Sequence, residues 1–218
     1  MIDLDIKDAG LDFRRKPRKR ERTDVLIFHH VGPMPNFDVD AEVIHGWHLD
    51  RGDNWIGNAY NLVVLPDGTI ELARPLGTVG AHSGSEANGK SIGVCVIGNF
   101  EKDNPTEEQI VACVNIGLYV KQEFNENIKI TGHNSYSDTA CPGKNFPLKE
   151  LKTSITGRWE DMNEELDWRQ KQAIKQIEEL AEAGFLNNPD LHIEKIKKGE
   201  ALPDYVYLSL INRVVKEG

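Results

Sequence analysis

The sequence predicts an α/β fold, a mixed central β-sheet flanked by helices, followed by a small all-α C-terminal domain. Three observations carry this. Short β-branched runs such as DVLIFHHV and SIGVCVIGNF are mixed with helical patterns without strict alternation, which favours a mixed sheet over a purely parallel one. The stretch NAYNLVVLPDGTIELAR places a turn dipeptide between two apolar runs, the signature of a β-hairpin. Past Gly157 no convincing strand remains, and apolar residues recur at helical spacing instead.

The elements follow in order. Residues 1–22 run from the acidic MIDLDIKDAG into the basic block RRKPRKRER, Arg14 to Arg22. This block reads as a solvated, partly flexible lead-in, with a patch for anionic polymers as the sharper alternative. Asp24 to Val31 is a buried strand that ends in two histidines. Val39, Val43, Ile44 and Trp47 lie on one stripe of an amphipathic helix that stops at Gly52. The hairpin uses Asn58 to Leu65 and Thr69 to Arg74, and Ser91 to Phe100 is a central strand. Behind Pro105, Thr106 and Gln109 have capping-box spacing and start the longest helix of the first domain. KITGHN is a further strand, and PLKELKTSI a short closing helix up to Ile155. A boundary near residues 157 to 162 separates a domain over 23–157 from a helical one over 162–218. In the latter, Leu166, Ala173, Ile177 and Leu180 form one stripe and PDYVYLSLINRVVKE carries another. Those stripes bury against each other, against the first domain, or against a second copy of the chain, so a homodimer through these helices is one expectation.

Composition narrows the function. The 218 residues carry a net charge of −9, which argues against nucleic acid as the main partner, because phosphate binding needs a basic footprint. No apolar run reaches the roughly 18 residues of a membrane span, and the N-terminus lacks the apolar region of a signal peptide. The expectation is a cytoplasmic chain on synthesis, with no membrane partner. Three cysteines, Cys95, Cys113 and Cys141, are an odd number without regular spacing, so a ligand or a free thiol is expected rather than a disulfide framework.

One loop stands out. TGHNSYSDTACPG, Thr131 to Gly143, sets His133 and Cys141 eight positions apart in a segment too polar for a core. Zinc takes imidazole nitrogen and thiolate sulfur, and a catalytic site uses three protein ligands with a fourth position open. A histidine from the end of DVLIFHHV would complete such a set, although spacing alone leaves metal and coincidence both open.

The segments FHHVGP, WHLDRGDNWIGNAYNLVVLPDGTIELAR, GAHSG, SIGVCVIGNF and TGHNSYSDTACPG resemble, in that order and at matching separations, the zinc-dependent N-acetylmuramoyl-L-alanine amidases of type 2. That family includes phage endolysins and the animal peptidoglycan recognition proteins. The resemblance covers about residues 23 to 155.

It implies a type 2 amidase fold with Zn2+ held by His29, His133 and Cys141. It further implies hydrolysis of the amide between N-acetylmuramic acid and L-alanine in bacterial peptidoglycan, with action on the wall after release. Of the adjacent pair His29 and His30, the family places the ligand at the first, and strand alternation lets only one face the site. Tyr60 matches a tyrosine near the metal that donates to the developing oxyanion. Thr139 matches a position that is lysine in some phage amidases and threonine in recognition-protein amidases, where it helps hold the tetrahedral intermediate. His82 resembles a groove histidine that contacts sugar or stem peptide. Cys95 occupies a strand position where some bacterial members carry glutamate, and reads as a packing residue. His45, His48 and His192 receive no role. The rival readings are a non-catalytic peptidoglycan-binding protein and a cytosolic muropeptide-recycling amidase. The C-terminal helices resemble the short helical regions of some endolysins, with wall binding or dimerisation as their expected use.

Overall fold

Strand β2, Val25–His30, buries all of its first five side chains. A computed structural model describes residues 4–34, 37–156, 174–175, 177–178 and 193–194. The chain divides into two compact units, Met1–Arg158 and Trp159–Gly218. The apolar stripes expected over 162–218 lie almost wholly outside the described residues. Among the described residues, no helix is long and apolar enough to cross a membrane.

In the first unit a sheet forms in the order β1-β4-β3-β5-β2-β6. Its other strands are β1 (Lys7–Asp8), β3 (Leu62–Val64), β4 (Ile70–Leu72), β5 (Ser91–Val96) and β6 (Lys129–Gly132). β2 runs parallel to both β5 and β6, and β5 parallel to β3. The continuous apolar character of β2 and β5 follows from covering on both faces. Leu26, Ile27 and Phe28 have no exposed surface, and each such side chain contributes roughly 1.5–3 kcal/mol by burial. The antiparallel β3–β4 pair is the expected hairpin. Its turn needs Gly68 at φ +85°, a left-handed conformation that other residues rarely adopt.

Helices connect and cover these strands. α1 (Ala41–Leu49) starts where the Asp40 side chain accepts from Val43 N, and α2 (Gly84–Asn88) is a short turn before β5. α3 (Glu107–Glu123) opens on the expected capping box, with Thr106 and Gln109 each bonded to the other's backbone N–H. α4 (Leu148–Thr156) closes against α3, where Lys121 Nζ donates to Ile155 O at 3.0 Å. Gly117 of α3 leaves the space that the Ile155 side chain fills.

The charged residues of the basic block are exposed, as their composition suggests, with Arg20 the exception, and the segment is tied to the fold. β1 extends the sheet beside β4. Arg20 is only 5% exposed, and its guanidinium donates to the carbonyls of Leu76, Thr78 and Ser91. Arg14 donates to Gly52 O and Trp55 O. A guanidinium offers five donors, and that of Arg20 satisfies the Leu76, Thr78 and Ser91 carbonyls and the Thr23 hydroxyl. That is why a run of charges belongs to the fold. Burial lowers Arg20 to a pKa of about 10.

Candidate metal centre

Register brings the candidate ligands together before any side-chain detail. Phe28 pairs with Gly132 in β6, so His29 and His133, the next residue on each strand, lie side by side with ring centroids 4.6 Å apart. His29 pairs with Cys95 on the other side. All three stand at the C-terminal ends of parallel strands, the edge where open α/β sheets place ligands. His30 points to the opposite face, where its Nδ1 accepts from Phe100 N at 3.1 Å.

The loop after β6 then doubles back. Asn134 N donates to Cys141 O at 2.9 Å, and Gly143 N to Ala140 O at 2.7 Å. Gly143, at φ +104°, lies against the Phe100 carbonyl with no room for a Cβ. Cys141 is thereby held 8% exposed beside β2, with its Sγ 3.8 Å from His29 Nδ1 and 3.4 Å from the His30 N–H.

Ligand atoms of His29, His133 and Cys141 all lie within 4.8 Å of one another. A tetrahedral zinc with Zn–S near 2.3 Å and Zn–N near 2.0 Å needs N···S separations of roughly 3.5 Å. The 3.8 Å between Cys141 Sγ and His29 Nδ1 is close to that separation, so the donor set suits zinc. Protonation suits it as well. Burial, then His82, His133 and His30, hold the His29 imidazole well below its ordinary value, and burial lowers His133 too. Both rings therefore present lone pairs at neutral pH. Burial pushes the Cys141 thiol up to about 11, so a metal must displace its proton.

Around this cluster, Tyr60 places its ring 5.0 Å from that of His29. Its phenol is hydrogen-bonded to the Cys95 thiol, and burial, then Cys95 and Cys141, hold it well above its ordinary value. It remains a donor at neutral pH. Cys95 is fully buried and its own thiol is raised by burial, so the residue facing His29 across β5 is a protonated packing group. Thr139 Oγ1 accepts from Cys141 N at 3.2 Å, which leaves the hydroxyl hydrogen free to donate elsewhere.

His82, expected to line a substrate groove, is buried against His29. His82 is 7% exposed, and its Nδ1 lies 2.9 Å from His29 Nε2. Burial, with His133, Arg74 and Arg20 behind it, lowers its pKa to about 3.

His45 and His48 of α1, assigned no role from sequence, do have one. His45 Nδ1 accepts from Asn58 N at 3.1 Å and His48 Nδ1 from Ala59 N at 3.2 Å, fixing the segment that carries Tyr60. His48 also stacks on Trp55, centroids 5.1 Å apart and nearly coplanar. Their three-residue spacing, one helix face, was the available signal. Arg15, Lys16 and Arg18 of the basic block, with Asn54, Trp55 and Arg74, line a nearby cavity of about 300 Å³.

Comparison with known proteins agrees with this geometry. The profile of the family described as N-acetylmuramoyl-L-alanine amidase matches residues 19–144. The chain is 29% identical to the endolysin of Escherichia phage T7 over 154 residues, covering 67% of this chain and 91% of that protein. It is 34% identical over 128 residues to peptidoglycan-recognition protein LB of Drosophila melanogaster, covering 55% and 53%. Among solved structures, the fold is similar to the endolysin amidase LysCS of Clostridium intestinale URNW, with a TM-score of 0.65, 23% identity, and coverage of 71% of this chain and 98% of that one. With the matched profile spanning most of the first unit and the His29, His133 and Cys141 cluster inside it, the chain belongs to the N-acetylmuramoyl-L-alanine amidase family.

Proposed function

We propose that this chain hydrolyses the amide between the lactyl group of N-acetylmuramic acid and L-alanine in bacterial peptidoglycan. The observation that carries the reading is the convergence of His29, His133 and Cys141 at one strand-end pocket, with Tyr60 beside it. The chemistry zinc supplies in such a pocket is Lewis-acid activation of an amide carbonyl and of the attacking water. The protein's own residues do the rest. His29, His133 and the Cys141 thiolate would hold the ion. The Tyr60 phenol, kept protonated, donates to the oxygen that gains negative charge as the carbonyl becomes tetrahedral. Thr139, whose oxygen is already occupied by the Cys141 N–H, turns its hydrogen toward the same oxygen. With only a protonated thiol at Cys95, the proton given up by the attacking water passes to the departing alanine amine.

Retention of all three ligands supports an enzyme over a binding protein. The net charge of −9 supports peptidoglycan rather than nucleic acid as the partner. A soluble muramoyl-peptide incubated with zinc-loaded protein should lose its peptide with a free N-terminal alanine; chelation should abolish this and added zinc restore it. Cleavage that persists unchanged after complete zinc removal would refute the reading.

A further inference from the structure

His82 is not in the ligand set, yet it belongs to a continuous chain of bonds that ends at the metal site. Its Nδ1 is 2.9 Å from His29 Nε2, with the two rings at 87°. Ser83 Oγ lies 3.0 Å from the same Nδ1 and 3.3 Å from His29 Nε2. On the far side, His82 Nε2 is 3.4 Å from Ser91 Oγ, and Ser91 Oγ donates its hydrogen to Ala87 O at 2.8 Å.

These contacts determine where the protons sit. Ser91 has given its hydrogen to a carbonyl, so it can only accept from His82. The proton of neutral His82 is therefore on Nε2, and Nδ1 presents a lone pair. That lone pair takes a hydrogen from His29 Nε2. His29 is left with its own lone pair on Nδ1, the nitrogen that faces Cys141 Sγ at 3.8 Å. The chain from Ala87 through Ser91 and His82 selects the one tautomer of His29 that can bind a metal beside Cys141.

A second observation concerns the space this ring occupies. An ideal Cβ on Gly93 would stand 2.5 Å from His82 Cδ2 and 2.6 Å from Cγ, and one on Gly80 would stand 2.5 Å from Cδ2 and 2.8 Å from the Ala59 carbonyl oxygen. Gly93 lies inside β5, where glycine weakens a strand, and its φ is not in the left-handed region. Backbone conformation therefore gives no reason for a glycine there; the His82 ring does. The ring is held in a slot between Gly80 and Gly93, with its height and tilt set by the sheet.

We infer that His82 is a positioning residue for the metal centre, fixing the tautomer and orientation of His29, and that Gly93 is a glycine in order to admit its ring. This rests on His29 being a metal ligand, so the test reads metal binding rather than cleavage. Zinc affinity of the full chain is measured by chelator competition, and the site's geometry by the visible spectrum of the cobalt(II) form. The variants are His82→Ala, His82→Asn, Gly93→Ala and the double variant His82→Ala/Gly93→Ala.

His82→Ala should weaken zinc by roughly 10–100-fold and alter the cobalt spectrum. His82→Asn, which returns an acceptor oxygen near the position of Nδ1, should recover most of that loss. Gly93→Ala should weaken zinc by displacing the ring, and should add little on top of His82→Ala, where the slot is already empty. Gly93→Ala keeps the histidine, so it still tests the idea if His82→Ala fails to fold. Wild-type affinity and spectrum in His82→Ala, no rescue by asparagine, or full additivity in the double variant would overturn the inference. A wild-type protein that binds no zinc would overturn it together with the metal centre itself.

Discussion

Cys141 is a thiol that burial keeps protonated, whereas His29 and His133 are already neutral near pH 7 because burial lowers them. Zinc binding should therefore release about one proton, and affinity should rise about tenfold per pH unit between roughly pH 6.5 and 8.5. Chelator competition across that range checks it, and a flat profile would show that the thiol is not a ligand. Tyr60 makes a different demand, since its bond to the oxyanion exists mainly in the transition state. Tyr60→Phe should lower turnover by roughly a hundredfold with zinc content unchanged; normal turnover would make Tyr60 a packing residue. At this scale the metal ligands were legible because their chemistry resides in residue type, and TGHNSYSDTACPG displays two of them in one loop. The place of His82 was not legible. Whether a histidine after GA lines a groove or lies under a ligand depends on Gly93, across the sheet on another strand.

The elements behave as rigid holders for these residues. α1 pins the Tyr60 segment through His45 and His48, and α3 is tied to the hairpin turn at its N-cap, because Thr106 Oγ1 donates to Pro66 O at 2.7 Å while accepting from Gln109 N. Thr106→Ala should cost about 1 kcal/mol, read as a lower urea midpoint with an unchanged slope. Thr106→Ser should retain most of the stability, and equal loss in both would point to the threonine methyl rather than the cap. The β2, β5 and α3 segments were readable because long apolar runs and cap spacing are local signals. The elements that sequence reading missed carry no such signal. β1 is the two-residue Lys7–Asp8, recognisable as a strand only once β4 is beside it. α2, GSEAN, buries only Ala87. The 3-10 turn at His133–Ser135 lay inside a loop whose ligands were clear while its backbone was not.

For the whole molecule, the division at Arg158 has a direct consequence. The sheet, the metal cluster and Tyr60 all lie in the first unit, so a chain stopped at Arg158 should fold, bind zinc and cleave soluble muramoyl-peptide near the full-length rate. Aggregation and loss of activity would show instead that the remainder completes the core. Activity retained on soluble substrate but reduced on intact walls would fit a wall-binding or dimerising role for residues 162–218. The basic block shows how one member of a charge run can belong to the core while the rest stay exposed: Arg20 is buried because Leu76 and Thr78 of the loop after β4 and Ser91 of β5 turn their carbonyls toward it. The central claim, a zinc amidase acting on the lactyl amide, is tested most directly by mass spectrometry of purified sacculi digested with the zinc-loaded protein. The account predicts free stem peptides beginning with alanine and glycan strands left uncut; fragments severed at glycosidic bonds or within the stem, with the lactyl amide intact, would contradict it.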